Sequence, residues 1–175
     1  MARRSALGFV AALCALILLP AADPGRRSST EKTDTFLTAE TGGVFDLEAG
    51  ECFTDPAYSD PLGDVTVAYT PCDDHADNQV YGFVTAPEGA FDRPRLASFA
   101  RETCGRGFDS YWPGGAADGL AFYPVLPTER TWRSGDRTVM CVVYRPAGEL
   151  TDSLLPLARG GPRCSVLCDS LRIPS

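Results

Sequence analysis

The chain has 175 residues, 44% of them apolar, with nine Phe, six Tyr and two Trp, so a packed core is expected and disorder is excluded. Its cations are fifteen Arg and a single Lys, and past residue 22 there are 14 basic against 23 acidic residues, net −9. That balance excludes a nucleic-acid groove, which needs clustered cations to replace phosphate counterions, and disfavours docking on anionic lipid.

Residues 1–22 read as a targeting segment. Arg3 and Arg4 start it, Ala6 to Ala22 is an uncharged and mostly apolar run, and Asp23-Pro24-Gly25 ends it. At about 1.5 Å per residue the run spans roughly 25 Å, slightly short of a bilayer core. Neither Ala21 nor Ala22 offers a good cleavage site, because Leu19 or Pro20 occupies the position where a small residue is wanted. A membrane anchor and a cleaved signal both remain open. Residues 23–43 are rich in Pro, Gly, Ser, Thr and charge, with Phe36 and Leu37 as the sizeable apolar groups, and read as a flexible linker. Folded sequence is expected from Val44, over residues 44–157.

Four segments have strand character: Val44 to Leu47, Val65 to Tyr69, Val80 to Thr85 and Thr138 to Tyr144. Leu120 to Val125 is a fifth, trimmed by Pro124 and Pro127. Between them, Leu96, Phe99, Ala100, Thr103, Cys104, Phe108 and Tyr111 recur at three-and-four spacing, which predicts one amphipathic helix over Pro94 to Trp112 with Cys104 on its inner face. A short helix is expected after Thr128, its cap, with Trp132 facing inward. Strands, a helix, then strands predict an α+β fold with a small, mainly antiparallel sheet.

Cys14 lies inside the apolar run and counts as a small hydrophobe. Six cysteines remain: Cys52, Cys72, Cys104, Cys141, Cys164 and Cys168. An even count in an exported chain predicts disulfides, although six cysteines allow 15 pairings. With no Cys-x-x-Cys and one His, a zinc site is the weaker reading. The element placement proposes Cys52–Cys72 between adjacent loops and Cys104–Cys141 between helix and sheet. Cys164–Cys168 is left as a local pair in a C-terminal tail, residues 158–175.

The order of features resembles a known family. Leu47-Glu-Ala-Gly50-Glu-Cys52-Phe53 comes first, then Pro71-Cys72-Asp-Asp-His75 and Gln79-Val80-Tyr81-Gly82. The helix with Cys104 follows, and then Trp132-Arg-Ser-Gly135-Asp136-Arg137-Thr-Val-Met-Cys141. Over about Phe45 to Leu154 this is similar to the septum-formation family of envelope proteins of high-GC Gram-positive bacteria. The Trp-x-x-Gly-Asp-Arg…Cys block is the most specific part. The resemblance implies an extracytoplasmic domain behind a signal or membrane segment, linked to cell division, with no catalytic residues.

Candidate chemistry is sparse. His75, the one histidine, lies among Asp73, Asp74, Asp77 and Asn78. It is either a general base with a carboxylate neighbour or a loop residue bonding backbone, and the acids are either cation ligands or ordinary turn residues. No Gly-x-Ser-x-Gly elbow is present, and paired cysteines leave no thiol nucleophile. Trp112, followed by Pro113-Gly114-Gly115, is the aromatic expected to touch a partner, with His75 a second possible contact. Gly135-Asp136-Arg137 reads as a turn whose charges pair with each other.

These readings converge on a membrane-tethered, non-catalytic extracytoplasmic module without cofactor or metal. Its expected partner is an envelope or division protein, or a cell-wall component. The alternative is a cell-wall-acting enzyme using His75 and a neighbouring Asp.

Overall fold

The last strand explains the architecture. Thr138–Tyr144 forms β6, and every residue after Thr138 in it is buried, so both of its faces are covered. Val139, Cys141 and Val143 join one apolar cluster, and Met140, Val142 and Tyr144 join another. A computed structural model describes residues 31–59 and 64–155 of the chain. In it, β6 lies inside a four-stranded antiparallel sheet of order β1-β4-β6-β5, where β1 is Cys52–Phe53, β4 is Asn78–Thr85 and β5 is Ala121–Val125. The pairing of β4 with β6 slips between Val80 and Gly82. A separate two-stranded hairpin joins β2, Ala57–Ser59, to β3, Asp64–Thr66.

One face of the sheet carries helix α1, Arg93–Tyr111. Asp92 caps it by accepting from the Arg95 N–H at 3.1 Å, and Pro94 sits in the first turn, where its missing N–H costs nothing. Its buried residues are Leu96, Ala97, Ala100, Cys104 and Phe108, an i, i+4, i+8, i+12 stripe with one neighbour. The short helix α2, Glu129–Arg133, is held by a reciprocal cap between Thr128 and Thr131 and buries Trp132. The α+β fold, the main helix, the capped short helix and three of the strands match the sequence reading.

Two expectations are corrected. Val44 to Leu47 is not a strand: Val44–Asp46 is a 3-10 turn entered through Gly43, whose φ of 83° is a left-handed conformation that suits glycine. Val44 and Leu47, three apart, are buried while Phe45 between them is 66% exposed. A four-residue apolar run does not separate one helical turn from a strand.

The linker also ends sooner than expected. Leu37 is 1% exposed and Ala39 is 5% exposed, and both belong to the fold. Thr38 bridges Leu126, the Ala39 N–H donates to the Leu126 carbonyl at 3.0 Å, and Glu40 pairs with Arg130. With Val44, Leu47 and Val67, Leu37 covers the sheet face opposite α1. Residues 1–22, the first part of the expected linker and the tail with Cys164 and Cys168 lie outside the described residues.

Candidate functional site

Cys52 and Cys72 are bonded with Cα atoms 5.1 Å apart, and Cys104 and Cys141 with Cα atoms 5.5 Å apart. Both separations lie in the ordinary range for a disulfide. The second bridge ties the middle of α1 to the middle of β6. These four are all the cysteines among the described residues, so no thiol is left there to act as nucleophile or metal ligand.

His75 stands on an open loop. Its side chain is 71% exposed and its φ is 55°, a left-handed conformation that a residue with a Cβ seldom adopts. Its Nδ1 lies 3.0 Å from Glu149 Oε2, so its carboxylate neighbour is not one of the loop aspartates. Asp77 turns inward, its Oδ2 accepting the Asp55 N–H at 2.8 Å. Among the described residues no group of three or more His, Cys, Asp or Glu gathers to hold a metal.

Trp112 does not stand clear of the surface. It packs against Tyr81 and Phe108, with ring centroids 5.5 and 5.4 Å away, and its Nε1 donates to the Leu154 carbonyl at 2.8 Å. Its neighbour Tyr111, with ring centroids 5.4 Å apart, is the exposed aromatic there, and Phe45, Tyr69 and Phe83 are exposed elsewhere. Phe45 and Phe83 line one shallow apolar hollow of about 270 Å³ with Leu47, Val125 and Met140. The turn before β6 also differs in its pairing: Arg137 bonds Glu88, 3.1 Å away, and stacks 3.8 Å from the Trp132 ring instead of pairing with the Asp136 carboxylate. Asp136 Oδ1 accepts the Thr138 N–H at 2.8 Å and starts the strand. Trp132 Nε1 donates to the Gly89 carbonyl at 3.0 Å, beside a second hollow of about 320 Å³ that Leu96 and Phe99 also line.

The chain matches no family model, no curated protein and no solved structure. The Trp132-to-Cys141 block is one structural unit: a stacked turn, its strand, and the cysteine that ties that strand to α1.

The densest polar cluster went unread in the sequence. Lys32 is 7% exposed, although it is the single lysine of the chain. Its Nζ bonds Asp55 Oδ1, Asn78 Oδ1 at 2.9 Å and the Asp77 carbonyl at 3.4 Å. It also lies 5.1 and 5.0 Å from the ring centroids of Phe36 and Tyr144. Asn78 is fully buried at the start of β4; its Nδ2 donates to Asp55 Oδ1 at 2.9 Å and its Oδ1 also accepts the Tyr123 hydroxyl at 3.0 Å. The orientation of that amide is fixed by its partners, because ammonium and phenol donate while the carboxylate accepts. Burial, with Asp55 and Tyr144 nearby, raises the Tyr123 phenol well above its usual range, so it remains a donor. A signal was available in the composition: one lysine among sixteen cations, placed just before the Phe36-Leu37 pair.

Proposed function

We propose that this chain is an extracytoplasmic, membrane-tethered and non-catalytic module that works in septum formation by binding a protein of the division machinery in the envelope. The observation that carries the compartment is the pair of bonded cysteines, Cys52–Cys72 and Cys104–Cys141, which suit an oxidising space outside the cytoplasm. Tethering is read from the uncharged, mostly apolar run of Ala6 to Ala22 in the sequence alone; no helix among the described residues is long and apolar enough to cross a membrane. The link to division comes from the family resemblance. Phe45 and Phe83, exposed beside one apolar hollow, are the side chains offered to a protein partner.

The enzyme alternative has less behind it. His75 faces solvent, its carboxylate neighbour is Glu149, and neither the Phe45 hollow nor the Trp132 hollow includes it.

In-cell crosslinking tests the reading. A photo-crosslinker at Phe45 should capture an envelope protein in dividing cells, and the product should fade when Phe83 is replaced by Ser. Uniform distribution of the chain around the cell, with no product at midcell, would overturn the division role.

A further inference from the structure

The Lys32 cluster has the parts of a self-acylating centre: an amine, a carboxamide, a carboxylate touching both, and a hydroxyl on the carboxamide oxygen. We infer that Lys32 and Asn78 join through an intramolecular isopeptide bond, with Asp55 moving the protons and Tyr123 holding the oxygen on which negative charge develops.

Each role follows from a contact. Lys32 Nζ is 2.9 Å from Asn78 Oδ1, so the amine lies beside the carbonyl it must attack. Asp55 Oδ1 bonds Lys32 Nζ and also accepts from Asn78 Nδ2, so one oxygen serves both the nucleophile and the leaving group. The Tyr123 hydroxyl, 3.0 Å from Asn78 Oδ1, polarises the carbonyl and stabilises the tetrahedral oxyanion. Phe36 and Tyr144 wall the amine off from water, and Tyr144 also takes the Lys32 backbone N–H at 2.9 Å. Arginine would not serve here, because its guanidinium keeps its proton, whereas a lysine can become a free amine.

The step balances without oxidant or reductant. The ammonium passes a proton to Asp55, leaving a neutral amine whose lone pair forms the Nζ–Cγ bond while the carbonyl electrons move onto Oδ1. Asp55 then protonates Nδ2 and takes back a proton from Nζ. As the carbonyl re-forms, the Cγ–Nδ2 bond breaks and ammonia leaves with its electron pair. One ammonium and one carboxamide give one secondary amide and one ammonium: the proton that Asp55 took back from Nζ passes to the departing ammonia, and Asp55 returns to its carboxylate. Asn78 is favoured over Asp55 as the acylated partner, because Asn78 is fully buried whereas the Asp55 side chain is 39% exposed and loses any activated form to water.

The consequence is mechanical. Asn78 opens β4, an interior strand of the sheet, so the bond would fasten the segment entering the domain directly to the sheet and bypass residues 33–77. In a tethered module, which is the reading proposed above, load on the leader would reach β4 without unfolding the loops between.

The test is peptide mapping of the full-length chain after reduction and alkylation. Cleavage after Glu separates residues 32–40 from residues 52–88. The inference expects these two to leave as one branched species, lighter than their sum by one ammonia, with fragmentation placing the branch at Lys32 and Asn78. It also expects trypsin to skip Lys32. Asp55→Ala should return two separate peptides. Separate unmodified peptides from the wild-type chain would overturn the inference, and this holds even if Asp55→Ala fails to fold. A branch lighter by one water and seated on Asp55 would overturn the assignment to Asn78. A linked species persisting in Asp55→Ala would overturn the role of Asp55. None of these outcomes bears on whether the chain acts in division, which the crosslinking decides separately.

Discussion

Tyr81 donates its hydroxyl to the backbone carbonyl of Cys104 at 2.7 Å, so a strand phenol is fastened to the residue through which α1 is bridged to β6. Burial, reinforced by Asp109, pushes this phenol far above its usual value of 10.0, and Tyr123 is raised as well. Above pH about 10 the unfolded chain releases protons that the folded chain keeps, so stability is full below that pH and falls as pH rises through it. Each of the two phenols contributes a slope of up to about 1.4 kcal/mol per pH unit. Urea unfolding at a series of alkaline pH values should show this fall. Tyr81→Phe should remove one proton from the slope while costing about 1 kcal/mol at neutral pH for the lost hydrogen bond.

The two bridges differ in how much chain they close, with sequence separations of 37 for Cys104–Cys141 and 20 for Cys52–Cys72. On the chain-entropy account these are worth about 4 and about 3 kcal/mol. Replacing Cys104 and Cys141 together by Ala should therefore lower the urea midpoint more than replacing Cys52 and Cys72 together. Equal losses would show that native-state packing, not loop closure, sets the effect.

Much of this fold was legible. The three-and-four spacing in α1, the Thr128 cap and the apolar run of β6 each state a local preference that packing then satisfies. What covers the second sheet face was hidden, because Lys32, Phe36, Leu37 and Ala39 are spread through polar sequence without a period. The clue lay in β6 itself: T-V-M-C-V-V-Y is apolar on both faces, so a second covering layer was required, and one helix supplies only one. The Lys32 cluster was illegible for a related reason. Its members come from residues 32, 55, 78, 123 and 144: Asn78, Tyr123 and Tyr144 are set by their strands, and Lys32 and Asp55 reach them from segments outside any strand.

Leu37→Ala tests that covering layer. The side chain is 1% exposed within the second apolar cluster, so its truncation should cost about 2–5 kcal/mol, as for other buried leucines. A residue in a flexible linker would show no measurable change in the urea midpoint.

His75 holds a left-handed conformation with its side chain in solvent, so its contact with Glu149 contributes little. Relief of the Cβ clash should outweigh the loss of that contact. Replacing His75 by Gly is expected to raise stability by about 1 kcal/mol, measured by urea unfolding at pH 7. A loss of stability instead would show that the imidazole is held by more than one exposed carboxylate.

An extracytoplasmic domain held by its disulfides requires Cys52, Cys72, Cys104 and Cys141 to be oxidised in the cell. Cells are quenched in acid, and the denatured chain is alkylated before any reductant is added and then mapped by mass. Cys52, Cys72, Cys104 and Cys141 should escape alkylation and be recovered as the linked pairs 52–72 and 104–141. Alkylated, unlinked thiols at these four positions in the quenched chain would contradict an extracytoplasmic domain held by its disulfides.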